Sequence, residues 1–179
     1  GKEEFNYFLS VLFPEEELRI LPYNRVVADL NGESPADLLL ALDQAFTIRD
    51  NGETVPTPGK KGEVGMYLDG HWYALCVREE LREEDPVEGL DVSFLQNLVL
   101  APLLGIEDPR TSERIRFIGG IRGSEELERL VDQKGGVAFL MYPTQMEELL
   151  SVADSGLLMP PKSTWFEPKL RSGLFIHTL

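Results

Sequence analysis

The chain has 179 residues, of which 42% are hydrophobic and 27% charged, and this size suits one globular domain with a buried core. Its formal net charge of −14 argues against nucleic-acid and anionic-membrane surfaces, which need basic patches, but a local basic pocket for a small anion remains compatible with it. No apolar run is long enough to span a bilayer and no signal-peptide pattern opens the chain, so we expect a cytoplasmic protein that binds neither nucleic acid nor membrane.

The first predicted element is a strand over residues 5–13, because its nearly continuous apolar run is typical of a strand buried on both faces. Nothing precedes this strand that could cover it, which indicates that the chain is part of a longer protein. Residues 18–22 predict a second, short strand, and residues 23–27 follow it directly.

The next elements are a helix and a hairpin. Ser34 and Pro35 predict the N-cap and first turn of a helix whose apolar stripe extends to Phe46. Residues 51–62 are rich in Gly, Pro, Thr and Lys and predict a loop. Asp69-Gly70 then separates two alternating runs, which is a strong hairpin signal because a type I′ turn requires positive φ.

The rest of the chain alternates between helices and strands. The predicted elements are a helix capped by Asp91 or Ser93 and ended by Gly105, a strand over 114–118, a helix capped by Ser124, a strand over 137–142, a helix opened by Thr144 and ended by Gly156, and a closing strand over 174–179. The whole pattern predicts a single α+β domain over residues 1–179, with a mixed β-sheet, one hairpin and about four helices packed on it.

The segment over residues 159–169 concentrates groups that could bind an anion. Lys162, Ser163 and Thr164 bring an ammonium and two hydroxyls together on a backbone restrained by prolines, although the glycines of a phosphate loop are missing. Trp165 could stack on a ligand or anchor the segment to the core. Glu167 could act as an acid or base, or pair with a nearby cation. We favour ligand binding for this segment.

Two further places offer arginines to the same ligand. A glycine-rich turn at residues 119–123 carries Arg122 and follows a strand that carries Arg116; it is best explained as a tight turn, but both arginines are candidate contacts. Arg25 comes just after a strand end, where polar residues often face a ligand, and could alternatively pair with Asp29.

The sequence argues against a metal site and leaves any cofactor and any catalytic residue unidentified. Two histidines and the single Cys76 provide no metal-ligand spacing, and Cys76 lies in a strand-like run that is typical of a buried small side chain. The carboxylates are too numerous to nominate a catalytic pair.

Five segments resemble a bacterial and archaeal family catalogued as domain of unknown function 1015. They are residues 8–14, 21–27, 108–111, 117–123 and 159–169. Members of that family are about twice as long, and their N-terminal half includes an Asp-Gly-His-His-Arg segment that this chain lacks. The resemblance therefore implies a C-terminal half. It also implies a link to serine metabolism, because that segment resembles serine kinases of the ParB-like fold, and so suggests phosphoryl-transfer chemistry by analogy.

Two functions follow as expectations. The first is a metabolic domain that binds a small phosphorylated or carboxylate metabolite, with any kinase- or phosphatase-type turnover confined to the full-length protein. The alternative is a non-catalytic interaction domain that packs against the N-terminal half or another subunit, including a homodimer.

Overall fold

A computed structural model describes residues 1–12, 14–169, 173–174 and 176–177. Within these ranges the chain forms eight strands and four α-helices. The strands are β1 (Arg19–Leu21), β2 (Tyr23–Val27), β3 (Phe46–Gly52), β4 (Glu63–Leu68), β5 (His71–Val77), β6 (Ile115–Gly119), β7 (Val137–Met141) and β8 (Trp165–Glu167), and the helices are α1 (Pro35–Leu42), α2 (Asp91–Leu95), α3 (Gly123–Lys134) and α4 (Met146–Asp154).

Six strands form one sheet in the order β3-β5-β4-β7-β2-β6, and β1 pairs with β8 in a separate two-stranded sheet. The predicted α+β class with four helices is confirmed. The sheet itself is antiparallel at every pairing rather than mixed, because none of the connections returns a strand parallel to its neighbour.

Helices cover both faces of the large sheet. Side chains alternate along β2, so that Val27 packs with α1, α2 and α4 on one face, while Val26 packs with α3 on the other. Leu127, Leu130 and Val131 form the buried side of α3, as the sequence predicted. We call the sheet face that carries Val27 the α2 face, and the opposite face, which carries Val26, the α3 face.

The hairpin and the first helix are confirmed. Strands β4 and β5 join through Asp69 and Gly70, whose φ angles of 50° and 78° are those that a type I′ turn requires. The Ser34 side chain accepts a hydrogen bond from the Asp37 N–H at 3.2 Å, and Pro35 opens α1.

The helix prediction ran too far at its C-terminal end. It placed Phe46 on α1, but α1 ends at Leu42 and Phe46 begins β3, an edge strand paired only with β5. Phe46 and Ile48 both contact the core of the α2 face, which is the alternation of a strand. The intervening polar residues hide that alternation in the sequence.

The predicted buried strand at residues 5–13 is wrong for residues 5–12, and Phe13 lies outside the described residues. Glu4–Asn6 form a 3₁₀ turn and residues 7–12 pair with no strand. Phe8 and Leu12 are 85% and 93% exposed. A continuous apolar run indicates burial, but it does not say whether the partner belongs to the same domain.

Helix starts also differ from the expected caps. Ser93 donates to the Val87 carbonyl and does not cap α2. Helix α3 begins at Gly123 without a Ser124 cap. Helix α4 begins at Met146 rather than at Thr144, after a capping box between Gln145 and Glu148. Of the predicted closing strand over 174–179, three positions lie outside the described residues, and residues 174, 176 and 177 are not in a strand.

Candidate functional site

A cavity of about 370 Å³ opens on the α2 face, beside the middle of β2 and of β6. This volume lies within the usual range for small-molecule sites. Its polar lining residues are Arg25, Glu88, Ser93, Gln96, Asn97, Glu107, Asp108 and Arg110, and its apolar ones include Phe117, Pro160 and Pro161.

A π-helix forms one wall of the cavity. The helix that starts as α2 continues with π-type hydrogen bonds over Gln96–Leu100, and π segments are frequent at functional sites. Gln96 Nε2 donates to the carbonyls of Ile106 and Glu107 at 2.8 and 3.2 Å. These bonds hold the loop that carries Asp108 and Arg110 against the helix.

Arg25 projects from β2 toward the cavity. It lies opposite Phe117 of β6, with its guanidinium 5.6 Å from the centre of that ring. The side chain is only 3% exposed. Burial lowers the pKa of the guanidinium to about 10, so the group stays cationic at neutral pH.

The described partners of this buried cation are backbone carbonyls. Arg25 donates to the carbonyl of Tyr23 and, at 3.1 Å, to that of Lys162. Among the described residues no carboxylate forms an ion pair with Arg25, so the alternative pairing with Asp29 is not seen; Asp29 pairs with Arg114 instead. A guanidinium has more N–H groups than two carbonyls occupy, and a buried cation without a counter-ion is costly. Arg25 is therefore well placed to receive an anion from the cavity.

The segment at residues 159–169 supports Arg25 largely through its backbone. Lys162 adopts a φ of 56°, which lets its carbonyl accept from Arg25, and its Nζ lies 5.5 Å from the centre of the Tyr23 ring. Ser163 is buried, and its Oγ donates to the Pro160 carbonyl at 2.8 Å. Thr144 Oγ1 donates to the Ser163 carbonyl at 3.0 Å. The Ser163 hydroxyl therefore stabilises the turn.

Trp165 packs the end of this segment onto the sheet. Its ring meets that of Tyr23 edge-on at 5.2 Å and covers Gly119, where any β-carbon would overlap the indole. Trp165 Nε1 donates to Glu167 at 2.6 Å, and Lys169 Nζ lies 4.6 Å from the centre of the ring. Gly119 is a glycine because the indole needs its space.

The structure does not bring every sequence-predicted site residue to the cavity. Arg25 lines it, and Lys162, Ser163, Thr164, Trp165 and Glu167 follow the two prolines that line it. Arg116 is exposed and shares the α3 face with Ile118, on the other side of the sheet from Phe117. Arg122 is exposed before α3 and does not line the cavity. Contact of any of these residues with a ligand stays a prediction.

The polar residues on the opposite wall of the cavity were not predicted from the sequence. Ser93, Gln96 and Asn97 follow helical spacing and were assigned only to a helix, since nothing local marks a π-helix. Asp108 and Arg110 were noted only within a family segment. Their proximity to Arg25 depends on tertiary packing that no short motif encodes.

Other titratable groups lie outside the cavity. Asp91 accepts the Gly62 N–H at 2.8 Å, and burial raises the pKa of its carboxyl to about 6. Across the described ranges no cluster of three or more His, Cys, Asp and Glu could hold a metal ion. Nor does any described helix have the length and apolarity to cross a bilayer.

A protein-family model described as "Protein of unknown function (DUF1015)" matches residues 1–93, about half of the chain. The chain belongs to this family. The match includes the first two segments that indicated the resemblance, at residues 8–14 and 21–27. The placement of the chain as a C-terminal half of DUF1015 proteins stays a prediction. Among curated proteins, none is significantly similar to the chain.

Solved structures of free serine kinase share the fold. A mutant of that enzyme in complex with AMP aligns with a TM-score of 0.50 at 10% identity, over 85% of this chain and 55% of the kinase chain. A second free serine kinase structure in complex with AMP aligns with a TM-score of 0.48 at 12% identity, over the same shares. The DUF1015 chain thus spans just over half the length of these structures.

Proposed function

We propose that this chain is the small-anion-binding domain of a cytoplasmic metabolic protein, and that its ligand is a phosphorylated or carboxylate metabolite bound in the cavity beside Arg25. The observation that carries the proposal is the burial of the Arg25 guanidinium without a described carboxylate partner. A ligand anion would supply the missing counter-charge, and charge-assisted hydrogen bonds to a guanidinium are strong.

Residues 160–167 hold Arg25 in place in this proposal. The Lys162 carbonyl fixes the guanidinium, the Ser163 hydroxyl fixes the turn, and the Trp165 ring fixes the strand that follows. Lys162 Nζ, Thr164 and Glu167 are further candidate contacts. Arg116 and Arg122 are left out, because neither lines the cavity.

Phosphoryl transfer linked to serine is the reaction class we propose to test first. The support is an analogy of fold with free serine kinase in complex with AMP, and sites differ widely between proteins of one fold. Because the chain spans 55% of that kinase, groups needed for turnover could lie in residues that this chain does not contain.

Calorimetric titration with phosphoserine, serine, ATP and ADP tests the proposal. We expect at least one of the phosphorylated ligands to bind the wild-type chain. Arg25→Lys should weaken that binding by about tenfold or more, because lysine keeps the charge but loses the planar fork. The control is Arg129→Lys, an exposed arginine on α3 that pairs with Glu126. The proposal fails if no ligand binds, or if a folded Arg25→Lys variant binds as tightly as wild type.

A second candidate function is a non-catalytic interaction domain. The observation that favours it is the exposed apolar segment at the N-terminal end, which we call the apolar segment. It contains Phe5, Tyr7, Phe8, Leu9, Val11 and Leu12. Exposed apolar patches of this kind mark protein interaction sites.

A further inference from the structure

A second arginine lines the cavity but is already paired. Asp108 accepts hydrogen bonds from Arg110 Nε at 2.9 Å and from Nη2 at 2.8 Å, and its Oδ1 also accepts the Arg110 backbone N–H at 2.9 Å. Both side chains line the same cavity as Arg25. The Arg110 side chain is 70% exposed and that of Asp108 37%.

The Arg110–Asp108 ion pair can be separated at a low cost in free energy. An exposed ion pair contributes little to stability, because water solvates both groups when they separate. Arg110 bonding lowers the pKa of Asp108 to about 2. Without that bond the pKa returns toward its ordinary value of 3.8, so the carboxylate stays ionised at neutral pH after separation. The backbone N–H of Arg110 would still stabilise it.

The other two acidic residues that line the cavity, Glu88 and Glu107, have no described ion pair with Arg25 or Arg110. Glu88 accepts from Asn97 Nδ2 at 2.7 Å, and Glu107 lines the wall beside Asp108. With Arg110 neutralised by Asp108, Arg25 is the one lining cation that has no described counter-charge. A monoanion needs one guanidinium as its counter-charge, which Arg25 can supply. The second charge of a dianion needs another cation, and Glu88 and Glu107 cannot provide it.

We propose that Arg110 is a second anion-binding residue of this site, that Asp108 occupies it while the cavity is empty, and that a dianionic phosphate group takes Arg110 from Asp108. The pair would make the site select phosphate dianions over carboxylates, because only a dianion gains from a second guanidinium. This inference rests on the proposed function, since it assumes that Arg25 receives an anion.

Calorimetric titrations with inorganic phosphate and with acetate test the inference, at constant ionic strength and about pH 8, where phosphate is mainly a dianion. Arg110→Gln should weaken phosphate binding about tenfold and change acetate binding by less than about twofold. Asp108→Asn should strengthen phosphate binding by about threefold or more, because asparagine keeps the oxygen that accepts the Arg110 N–H but no longer competes as an anion. Circular dichroism checks that both variants are folded.

The matched controls are Glu126→Gln and Arg129→Gln, which break an equivalent exposed pair on the α3 face. Both should bind phosphate as wild type does. The inference is overturned, with the proposed function intact, if Arg25→Lys weakens phosphate binding while both loop variants bind like wild type. Equal weakening of phosphate and acetate by Arg110→Gln overturns the selectivity. If wild type and Asp108→Asn bind neither anion nor phosphoserine, both the inference and the proposed function fail.

Discussion

Among the described residues, the buried Arg25 and the half-buried Asp91 are charged groups whose contacts offset the cost of burial only in part. Arg25 is a cation with carbonyl partners, and Asp91 is an anion whose closest described donor is the Gly62 N–H. Perturbed ionisable groups of this kind cluster at functional sites. Arg25 lines a cavity and Asp91 does not, so the proposed ligand contact concerns the first, and we expect a stability cost from the second.

Asp91→Asn should stabilise the protein at neutral pH. Burial, with Glu148 nearby, raises the pKa of Asp91 from 3.8 to about 6, despite the opposing effects of the Gly62 N–H, Lys61 and Arg82. The folded state therefore holds this proton more tightly than the unfolded state, and wild-type stability falls as the pH rises through that interval. Asparagine keeps the acceptor for Gly62 without the charge. We expect a gain of roughly 1–2 kcal/mol in the free energy of unfolding at pH 7.

Denaturant unfolding at a series of pH values checks whether Asp91→Asn raises the free energy of unfolding as predicted. The difference between Asp91→Asn and wild type should grow as the pH rises and become constant above the folded-state pKa. Asp85→Asn is the contrasting control, because the N–H groups of Val87 and Glu88 lower the pKa of Asp85, so its charged form is favoured by folding. An Asp91→Asn variant that is less stable than wild type at neutral pH would contradict the account.

At the scale of the elements, two side chains of the sheet donate hydrogen bonds to carboxylates of α3. Trp72 Nε1 donates to Glu128 at 2.7 Å and Tyr67 Oη donates to Asp132 at 2.9 Å. Trp72 is fully buried, and burial raises the pKa of Tyr67 to about 12. The fully buried Trp72 N–H would be left unsatisfied without Glu128, so this bond adds to the apolar packing that holds α3 on the sheet.

Glu128→Ala and Glu128→Gln should differ although both remove the charge. Alanine leaves the buried Trp72 N–H without an acceptor, which costs about 1–3 kcal/mol, whereas glutamine offers a carbonyl oxygen in its place. Thermal unfolding of the two variants measures the difference. Equal melting temperatures would mean that this hydrogen bond does not stabilise α3.

Some elements could be predicted from the sequence and others could not. The Asp69-Gly70 hairpin and the Ser34 cap were predicted correctly, because their geometry depends on a few adjacent residues. β3 was missed because its polar residues follow the pattern of an edge strand, which resembles a loop. The π-helix at Gln96–Leu100 could not be predicted, since no local sequence pattern marks it.

At the scale of the whole molecule, the apolar segment is the main departure from a self-contained fold. We expect the chain to self-associate through it, since exposed apolar surface drives association. A double variant, Phe8→Ser with Leu12→Ser, should reduce that association. Leu40→Ser is the control, because Leu40 is an isolated exposed leucine on α1. Sedimentation velocity over a range of concentrations measures the outcome, and a wild-type chain that stays monomeric throughout would contradict the expectation.

The candidate site could be predicted only in part from the sequence. Arg25 was a candidate because it follows a strand end, and residues 162–167 were candidates because polar and aromatic residues concentrate there. The opposite wall, with Gln96 and Arg110, comes from segments that are distant in sequence and meet only after folding. Arg116 was a reasonable candidate by proximity to the glycine turn, but strand alternation places it on the α3 face.

A crystal of the chain soaked in selenate tests the central claim most directly, because selenium gives an anomalous signal and selenate has the shape and charge of a phosphate dianion. The account predicts an anomalous peak in the cavity, with selenate oxygens within hydrogen-bonding distance of the Arg25 guanidinium. A cavity without anomalous density, in a crystal where selenate binds only exposed cations such as Arg116 or Arg122, would contradict it.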